Sequence, residues 1–388
     1  MNLDAMLEDL EELVTCESFS TDHQAVARSA EVVARQGGAR LGAPPETVLI
    51  GGVTHLRWSF GTPRVLLVGH HDTVWPMGSL RARPWEVAGG IARGPGVFDM
   101  KAGLVQMFHA LAALPSLDGV CVLVTGDEEL GSPTSRELVE EAARGRAAAF
   151  VLEASADGGA LKTARKGIST YELVVHGRAA HAGLDPEKGI NAGIELAHQI
   201  LAVAAIADQV NDARPNPGGA NDGPPGAGGA GTGRVETGGA SVTPTVVAGG
   251  TTRNTVPATA RLTVDVRVPT LAAQKRVDEL IRALSPRLDG ARLEVLGGPN
   301  RPPLEHASSA GLFALAQRIA AELGLGPVTG AGVGGASDGN LTAGVGCPTL
   351  DGLGAVGGGA HADTEHVVVA EMPRRAALLA GLIRASLA

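Results

Sequence analysis

The stretch VLLVGHHDTV, residues 65–74, joins an apolar run directly to a cluster of histidine and acidic side chains. Its first four residues are apolar with no polar alternation, which is typical of a strand buried on both faces of a sheet. The runs at 120–124 and 148–152 have the same texture and continue into TGDEELGS and EASADG. Because sites in open α/β sheets lie at the carboxyl ends of the strands, these three strand ends predict one shared site.

Two textures alternate along the chain. Helical patterns at 100–114 and 136–143 separate the buried runs, and this alternation of strand and helix is typical of α/β domains. The segments 169–176 and 261–268 instead alternate apolar with polar residues, as half-exposed antiparallel strands do. Near residue 301 the α/β pattern of the first part of the chain returns. The smaller antiparallel part is therefore predicted to be inserted into the larger α/β part.

We predict an α/β fold with two domains. Residues 1–166 and 301–388 form a catalytic, metal-binding domain, and residues 167–300 form an inserted α+β domain. The length of 388 residues, 44% of them hydrophobic, exceeds what one ordinary domain needs for a core. Within the insertion, residues 214–233 hold eight Gly and four Pro, a composition that predicts a flexible surface loop.

Composition and charge exclude several classes of function. The net charge of −9 and a pI of about 5.7 argue against a broad electrostatic hold on nucleic acid or anionic lipid. No apolar run is long enough to span a bilayer, and the first residues lack the pattern of a secretory signal. The three cysteines have no paired spacing for a disulfide framework or a zinc site. We therefore expect a cytoplasmic protein with a small-molecule substrate.

Seven acidic and histidine residues are candidate ligands or their neighbours: five follow the buried runs, Asp99 ends the loop GPGVFDM, and His361 lies in GGGAHADTEH. Imidazoles and carboxylates without thiolates suit zinc, cobalt or manganese, and the set is too rich in nitrogen for calcium. A lone exposed acid is usually a solvated charge, but an acid directly at the end of a buried strand is less ordinary. The seven candidates are His70, Asp72, Asp99, Glu128, Glu129, Glu153 and His361.

The charge balance of this set favours two divalent cations. Asp99, Glu129 and Glu153 together carry three negative charges against four positive charges on the two ions. A bridging hydroxide closes the difference, and it would also be the nucleophile of a hydrolysis. Two such ions lower the pKa of a shared water and polarise a scissile carbonyl. The sequence therefore predicts a two-metal hydrolase.

The chain resembles the glutamate carboxypeptidase-type dizinc exopeptidases, a family that includes acetylornithine deacetylase, succinyl-diaminopimelate desuccinylase and aminoacylase. The resemblance covers nearly the whole chain, and its motifs are specific as a set although each alone is weak. They are GHHDTV (69–74), GPGVFDMKAG (94–103), TGDEELGS (125–132), VLEAS (151–155), HGRAAHAG (176–183), NTVP (254–257), DVRVP (265–269), NRPPLE (300–305), GGASDGN (334–340) and the segment around His361.

The resemblance implies a role for each candidate metal residue. His70 and Glu153 bind one metal, Glu129 and His361 bind the other, and Asp99 bridges the two. Asp72 accepts a hydrogen bond from His70 and so fixes the tautomer of that ring. Glu128 is the general base that takes a proton from water and passes it to the leaving nitrogen. The family also implies a cis peptide bond between Asp99 and Met100.

The resemblance makes the inserted domain a lid and a dimerisation surface. His181 crosses to the site of the partner in a homodimer and stabilises the oxyanion, and Asn254 lines that site. Arg267 and Arg301 hold the substrate carboxylate, a task that suits a planar bidentate donor. Glutamate-releasing relatives carry a further lysine in the segment after the position of Glu153, and in this chain that segment is one residue shorter.

We therefore predict a cytoplasmic, homodimeric dizinc metallopeptidase of the glutamate carboxypeptidase type, with zinc, cobalt or manganese as the metal. It releases a C-terminal amino acid, with glutamate as one candidate, from an N-acyl amino acid or short peptide. The alternative is an N-acyl-amino-acid deacylase of the acetylornithine deacetylase or aminoacylase type, with the same mechanism. A non-catalytic binding protein on this scaffold should lose a ligand or the base, and this chain retains Glu128 and all five ligand positions.

Overall fold

The computed structural model describes residues 1–212 and 238–388. The loop predicted at 214–233 lies outside the described residues. The rest of the chain forms two compact units, one from Met1–Arg165 with Leu304–Ala388 and one from Lys166–Pro303. Both helices and strands contribute to each unit, so the prediction of an α/β fold is confirmed.

Sixteen strands are present in the described part of the chain. In chain order they are β1 (Glu46–Ile50), β2 (Val53–Ser59), β3 (Val65–His70), β4 (Glu86–Ala88), β5 (Ile91–Arg93), β6 (Val120–Thr125), β7 (Ala148–Val151), β8 (Leu161–Arg165), β9 (Gly167–His176), β10 (Ser241–Gly249), β11 (Thr259–Val268), β12 (Arg292–Arg301), β13 (Gly330–Val333), β14 (Thr349–Leu350), β15 (Gly357–Gly358) and β16 (His366–Val368).

Ten α-helices accompany these strands over the same described residues. They are α1 (Leu3–Thr15), α2 (His23–Leu41), α3 (Ala102–Ala112), α4 (Arg136–Ala143), α5 (Ala192–Ala204), α6 (Ile206–Asp212), α7 (Leu271–Arg282), α8 (His306–Glu322), α9 (Asp338–Gly344) and α10 (Glu371–Leu387). No helix among the described residues is both long enough and apolar enough to cross a bilayer.

The main sheet of the first unit has the strand order β1-β2-β6-β3-β7-β14. Its four strands β6, β3, β7 and β14 are parallel, and every residue of β3 and β6 is buried. Leu67 on β3 packs into a core with α1, α3 and α10, whereas Leu66 packs on the other face with α4 and α9. Helices therefore cover both faces of the sheet, which explains the unbroken apolar runs.

The second unit is built on one antiparallel sheet with the order β10-β11-β9-β12. Alternate residues of β9 and β11, such as Leu173 and Val264, are buried in a core with α5 and α7. The strands β10 and β12 lie at the edges, and sequence reasoning missed both. Pro244 and Pro299 adjoin register shifts in these edge strands and interrupt the alternation that would have identified them.

Candidate active site

Three strand ends of the main sheet carry the candidate metal residues. The strands β6, β3 and β7 are neighbours and run parallel, so their carboxyl ends meet at one edge of the sheet. His70 is the last residue of β3, and Glu153 follows β7 by two residues. Glu128 and Glu129 begin a single 3₁₀ turn just after β6. The topology of the sheet therefore brings together residues that lie up to 83 positions apart in the sequence.

Asp99 lies between two histidines, with one carboxylate oxygen facing each. His70 Nε2 is 3.5 Å from Asp99 Oδ1, and His361 Nε2 is 3.3 Å from Asp99 Oδ2. Two further carboxylates complete the cluster, with Glu153 Oε1 3.5 Å from His70 Nε2 and Glu129 Oε2 3.2 Å from His361 Nε2. The five predicted ligand residues thus converge, in the pairing that the resemblance implied.

Several atoms of this cluster are buried without a hydrogen-bond partner among the described residues. They include His70 Nε2, Asp99 Oδ1 and Glu129 Oε1. Burying a polar atom without a partner costs roughly 1–3 kcal/mol, and here two of the lone atoms, His70 Nε2 and Asp99 Oδ1, lie 3.5 Å apart. His70, Asp99 and Glu129 offer candidate ligand atoms within 4.8 Å of one another, so a cation beside them would supply a missing partner. Imidazole with carboxylate is the donor chemistry of zinc and its neighbours. The residues present therefore fit a metal centre.

The orientation of His70 leaves its Nε2 free to bind a metal. His70 Nδ1 is 3.0 Å from the backbone carbonyl oxygen of Asp72 and 3.4 Å from Asp72 Oδ1. Both neighbours are acceptors, so the proton of a neutral ring lies on Nδ1 and the lone pair on Nε2. We predicted that the side chain of Asp72 accepts this hydrogen bond, but the backbone carbonyl oxygen of Asp72 is the nearer acceptor.

Carboxylates around the two histidines favour positive charge at this site. Hydrogen bonds to Asp99 and then to Glu129 raise the pKa of His361 to about 10. Burial by itself lowers the pKa of His70, but the carboxylates of Asp72, Asp99 and Glu153 outweigh it and raise that pKa well above its usual value. Protons therefore bind tightly at the same atoms that a metal would use, and metal binding would release them.

Asp72 holds the turn that carries the two adjacent glutamates. Its carboxylate oxygens accept the backbone N–H groups of Glu128 and Glu129, each at 3.2 Å, and the hydroxyl of Ser20 at 2.7 Å. The side chains of Glu128 and Glu129 belong to two different groups of candidate ligands. One group of candidate ligand atoms within 4.8 Å of one another comes from His70, Glu128 and Glu153, and the other comes from His70, Asp99 and Glu129.

Glu365 positions the loop that carries Asp99, and sequence reasoning missed it. Its carboxylate accepts the backbone N–H groups of Gly96, Phe98 and Asp99 at 2.9–3.1 Å and the indole N–H of Trp75 at 2.6 Å. The peptide bond between Asp99 and Met100 is cis, as the resemblance implied. An acid four residues after the loop histidine His361 gives little signal in the sequence, because its partners lie 266 or more positions away.

Arg165 and Lys162 also contact the cluster and were missed as parts of it. Arg165 Nη2 is 3.2 Å and Lys162 Nζ is 3.8 Å from Glu153 Oε2. Burial and the neighbouring Arg165 lower the pKa of Lys162. The signal in the sequence was the run LKTARKG at 161–167, which places buried basic residues shortly after Glu153.

In the second unit, His181 and Asn254 lie in two loops that pair with each other. Ala182 donates its N–H to the carbonyl oxygen of Asn254 at 2.8 Å. The imidazole of His181 is exposed, and its Nδ1 accepts two backbone N–H groups, from Gly183 and Leu184, both at 3.1 Å. A neutral His181 therefore carries its proton on Nε2, where it can be donated to another group.

Arg267 and Arg301 flank the same residue of the central strand β9. Each pairs in register with Ile168, Arg267 from β11 and Arg301 from β12. Paired residues point to the same face, and two strand spacings separate the two backbones by about 10 Å. Arg267 also forms a two-point ion pair with Asp265 at 3.0 and 3.1 Å, and Arg301 is buried.

Residues 66–385 match the family described as Peptidase family M20/M25/M40. The chain belongs to this family. It is therefore a hydrolase of the metallopeptidase class, and the family resemblance inferred from the motifs is confirmed. Members of the family depend on metal ions, in agreement with the donor set described above.

Among curated relatives, the chain is similar to carboxypeptidase G2 of Pseudomonas sp. (strain RS-16). The two are 29% identical over 399 residues, which cover 98% of this chain and 88% of the relative. It is also similar to succinyl-diaminopimelate desuccinylase of Methylobacterium radiotolerans, with 28% identity over 97% of this chain and 95% of the relative. Neither identity is high enough to fix the substrate.

Solved structures of the family share the fold. The M20 family metallo-carboxypeptidase Sso-CP2 of Sulfolobus solfataricus matches with a TM-score of 0.72 and 14% identity, covering 98% of this chain and 99% of that one. Aminopeptidase PepT of Bacillus cereus matches with a TM-score of 0.69 and 20% identity, covering all of both chains. At these identities the likeness shows the fold alone.

Proposed function

We propose that this M20 family member hydrolyses the amide bond of an N-acyl amino acid or short peptide and releases the C-terminal amino acid. The observation that carries the proposal is the convergence of two imidazoles and three carboxylates around buried atoms without partners. The similarity to carboxypeptidase G2 over 98% of the chain supports the carboxypeptidase direction of cleavage.

Five side chains would hold two divalent cations, with zinc first and cobalt or manganese as alternatives. His70 and Glu153 would hold one cation, Glu129 and His361 would hold the other, and Asp99, which faces both histidines, would contribute to both. When bound, such a pair supplies a Lewis acid for the scissile carbonyl and a water of lowered pKa. The chain itself contributes the fixed carboxylates that balance the charge of the cations.

Glu128 is the proposed general base. One of its carboxylate oxygens lies within 4.8 Å of candidate ligand atoms of Glu153 and His70, and its N–H bond to Asp72 fixes its backbone. In this role Glu128 takes a proton from the attacking water and delivers it to the leaving nitrogen. A carboxylate suits both steps because it exchanges the same proton twice in one turnover.

His181 is the proposed oxyanion donor. Its Nδ1 is committed to two backbone N–H groups, so its Nε2–H is the group available to a developing negative charge. We propose further that the chain forms a homodimer in which His181 and Asn254 serve the site of the partner subunit. The pairing of their two loops supports a joint role.

Arg267 and Arg301 are the proposed ligands of the substrate carboxylate. Their position on one row of the sheet, on either side of Ile168, supports a shared anionic ligand. Lys162 offers one further cation near Glu153, where it could favour an acidic released residue such as glutamate. The segment after Glu153 is one residue shorter than in glutamate-releasing relatives, so the proposed function does not depend on a preference for glutamate.

The similarity to succinyl-diaminopimelate desuccinylases favours one alternative, an N-acyl-amino-acid deacylase. Both functions break an amide bond and would use the same metal residues and Glu128. They differ in which half of the substrate is recognised, since a deacylase selects the acyl group and a carboxypeptidase selects the released amino acid.

A metal-exchange experiment with a substrate panel tests this proposal. Exhaustive chelation should abolish hydrolysis of N-acyl amino acids, and about two equivalents of zinc, cobalt or manganese should restore it. The panel varies the acyl group at constant amino acid, and then the amino acid at constant acyl group. A steeper dependence on the amino acid supports the carboxypeptidase, and a steeper dependence on the acyl group supports the deacylase. Full activity without metal would refute both.

A further inference from the structure

The two carboxylate oxygens of Glu153 face different partners. Oε1 is 3.5 Å from His70 Nε2, whereas Oε2 is 3.2 Å from Arg165 Nη2 and 3.8 Å from Lys162 Nζ. The other proposed terminal carboxylate differs in this respect. Glu129 Oε2 faces His361, and Glu129 Oε1 has no hydrogen-bond partner among the described residues. One oxygen of Glu153 thus faces two cationic side chains, whereas Glu129 Oε1 has no hydrogen-bond partner among the described residues.

Arg165 cannot move away from Glu153, because its other groups are fixed. Its guanidinium is buried and donates from Nε to Asp351 Oδ2 at 2.6 Å and from Nη1 to the carbonyl oxygen of Gly335 at 3.1 Å. Its backbone N–H and C=O both pair with Leu304. Nη2 donates one hydrogen to Asp351 Oδ1 at 3.3 Å, so its other hydrogen is directed at Glu153 Oε2 at 3.2 Å.

Asp351 is itself held in place from the other side. It accepts the hydroxyl of Ser337 at 2.6 Å, and Ser337 is the N-cap of α9. Both Asp351 and Ser337 are fully buried. The network Glu153–Arg165–Asp351–Ser337 therefore links the proposed metal site to the start of a helix through charge-assisted hydrogen bonds, which are stronger than neutral ones.

We propose that Arg165 is a positioning residue that reserves Oε2 of Glu153, so that Glu153 offers a metal ion one oxygen only. This inference rests on the proposed metal site. Zinc is satisfied by four ligands, whereas manganese prefers six oxygen-rich positions and gains from carboxylates that bind through both oxygens. Arg165 therefore selects for zinc at the position formed by His70 and Glu153.

Lys162 acts in the same direction but more weakly. Its ammonium group is a second cation on Oε2, at a distance longer than a hydrogen bond. Its side chain contacts the same oxygen but bonds to neither Asp351 nor Gly335, and its backbone bond to Asp351 does not depend on the side chain, so the substitution leaves the Arg165 network intact. Lys162→Met is therefore a milder version of the same perturbation.

The experiment compares zinc and manganese binding directly. Chelated protein is dialysed against manganese with zinc buffered by a competing chelator, and the bound metals per chain are measured by elemental analysis. The variant is Arg165→Met combined with Asp351→Asn, because removing the arginine alone would leave Asp351 as a buried unpaired charge. Ser337→Ala is the matched control, since it perturbs the far end of the network without touching Glu153.

The double variant should shift the ratio of bound manganese to bound zinc toward manganese by about tenfold, the effect of one charged hydrogen bond. Cobalt-loaded protein should show weaker visible absorption, as expected when an ion gains a ligand, and Ser337→Ala should change neither reading. A ratio within about twofold of the unaltered protein would overturn the proposal. If the double variant does not fold, Lys162→Met decides the matter with an expected shift of about two- to threefold and the same spectral change. An unaltered protein that binds no metal would instead refute the proposed function as well.

Discussion

The carboxylate of Asp72 accepts the backbone N–H of Glu128, with 3.2 Å between Asp72 Oδ1 and the amide nitrogen. Its second oxygen accepts the N–H of Glu129 at the same distance. Asp72 follows β3 and the glutamates follow β6, so this one fully buried acid connects two strand ends. The proposed base and a proposed metal ligand thereby share one anchor, which lies beside His70, the first of the proposed histidine ligands.

Asp72→Asn is expected to weaken metal binding about 10- to 100-fold, the usual cost of losing a partner behind a ligand. The asparagine amide can accept one of the two backbone N–H groups, but its NH₂ opposes the other. Competition with a chromophoric chelator measures the change. Ser20→Ala is the control, because it removes only the hydroxyl bond to Asp72 and should cost less. Metal affinity in Asp72→Asn equal to that of the unaltered protein would show that Asp72 does not position the ligands.

The adjacent glutamates should respond differently to the same substitution. Glu128→Gln is expected to lower turnover by about 10²–10⁴-fold while two metals per chain remain bound, because it removes a proton acceptor and not a ligand. Glu129→Gln should lower metal content as well as turnover. Elemental analysis beside steady-state kinetics separates the two effects. If Glu128→Gln lost metal and Glu129→Gln kept it, the two assignments would be exchanged.

Glu365→Gln is expected to destabilise the fold by about 2–3 kcal/mol, since its NH₂ would replace an oxygen that accepts two buried N–H groups. Chemical denaturation of metal-free protein gives the free energy of unfolding without the contribution of bound metal. Asp363→Asn serves as the control, because its side chain is 81% exposed and should change stability by less than about 0.5 kcal/mol. Equal stability of the two variants would show that the Glu365 bonds contribute little.

The strands β3, β6 and β7 and the residues at their carboxyl ends were predictable because local patterns specify them. An apolar run of four or five residues that ends in a histidine or an acid identifies β3, β6 and β7 and their strand-end residues at once. The helix at 136–143 was predicted with the bounds that the structure gives to α4. These features depend on neighbours in the sequence, and sequence reasoning reads such neighbours directly.

Residues that act through distant partners were not predictable in this way. Glu365 binds a loop more than 260 positions away, and Arg165 bonds to Asp351 across 186 positions. A single acid or arginine carries no periodicity, so its meaning depends on the tertiary contacts. The edge strands β10 and β12 were missed for a related reason, since their exposed residues and prolines break the alternation of a half-buried strand.

A homodimer with His181 acting across the interface predicts complementation. His181→Ala and Glu128→Gln should each be nearly inactive, and mixing the two should restore up to about a quarter of the normal activity under random exchange. In a mixed dimer one of the two sites has both residues intact. Two differently tagged variants, recovered together, give proof of subunit exchange. Exchange without any recovery would place the action of His181 within its own chain, or outside catalysis.

The paired arginines predict a preference for substrates that carry a free carboxylate. Arg267 and Arg301 flank Ile168 on one face of the sheet, with their backbones about 10 Å apart across the strands, a span that their long side chains can close around one carboxylate. N-acyl amino acids should therefore be cleaved well, and the matching C-terminal amides poorly. Loss of one bidentate charged contact should cost roughly 2–4 kcal/mol, or about 30- to 1000-fold in kcat/KM.

Arg301→Ala should remove most of this preference by slowing the free acid while leaving the amide nearly unchanged. Arg267→Ala should act in the same direction, because Arg267 flanks Ile168 from the other side. Arg261→Ala is the matched control, since that arginine lies on the same strand but pairs with Glu172 at an exposed position. Steady-state kinetics on each acid–amide pair give the ratio of the two rates. This ratio reports the preference for the carboxylate, because any general loss of folding lowers both rates equally. Equal rates on acid and amide for the unaltered protein would make the two arginines structural, and the carboxypeptidase assignment would fall while the metal chemistry remained.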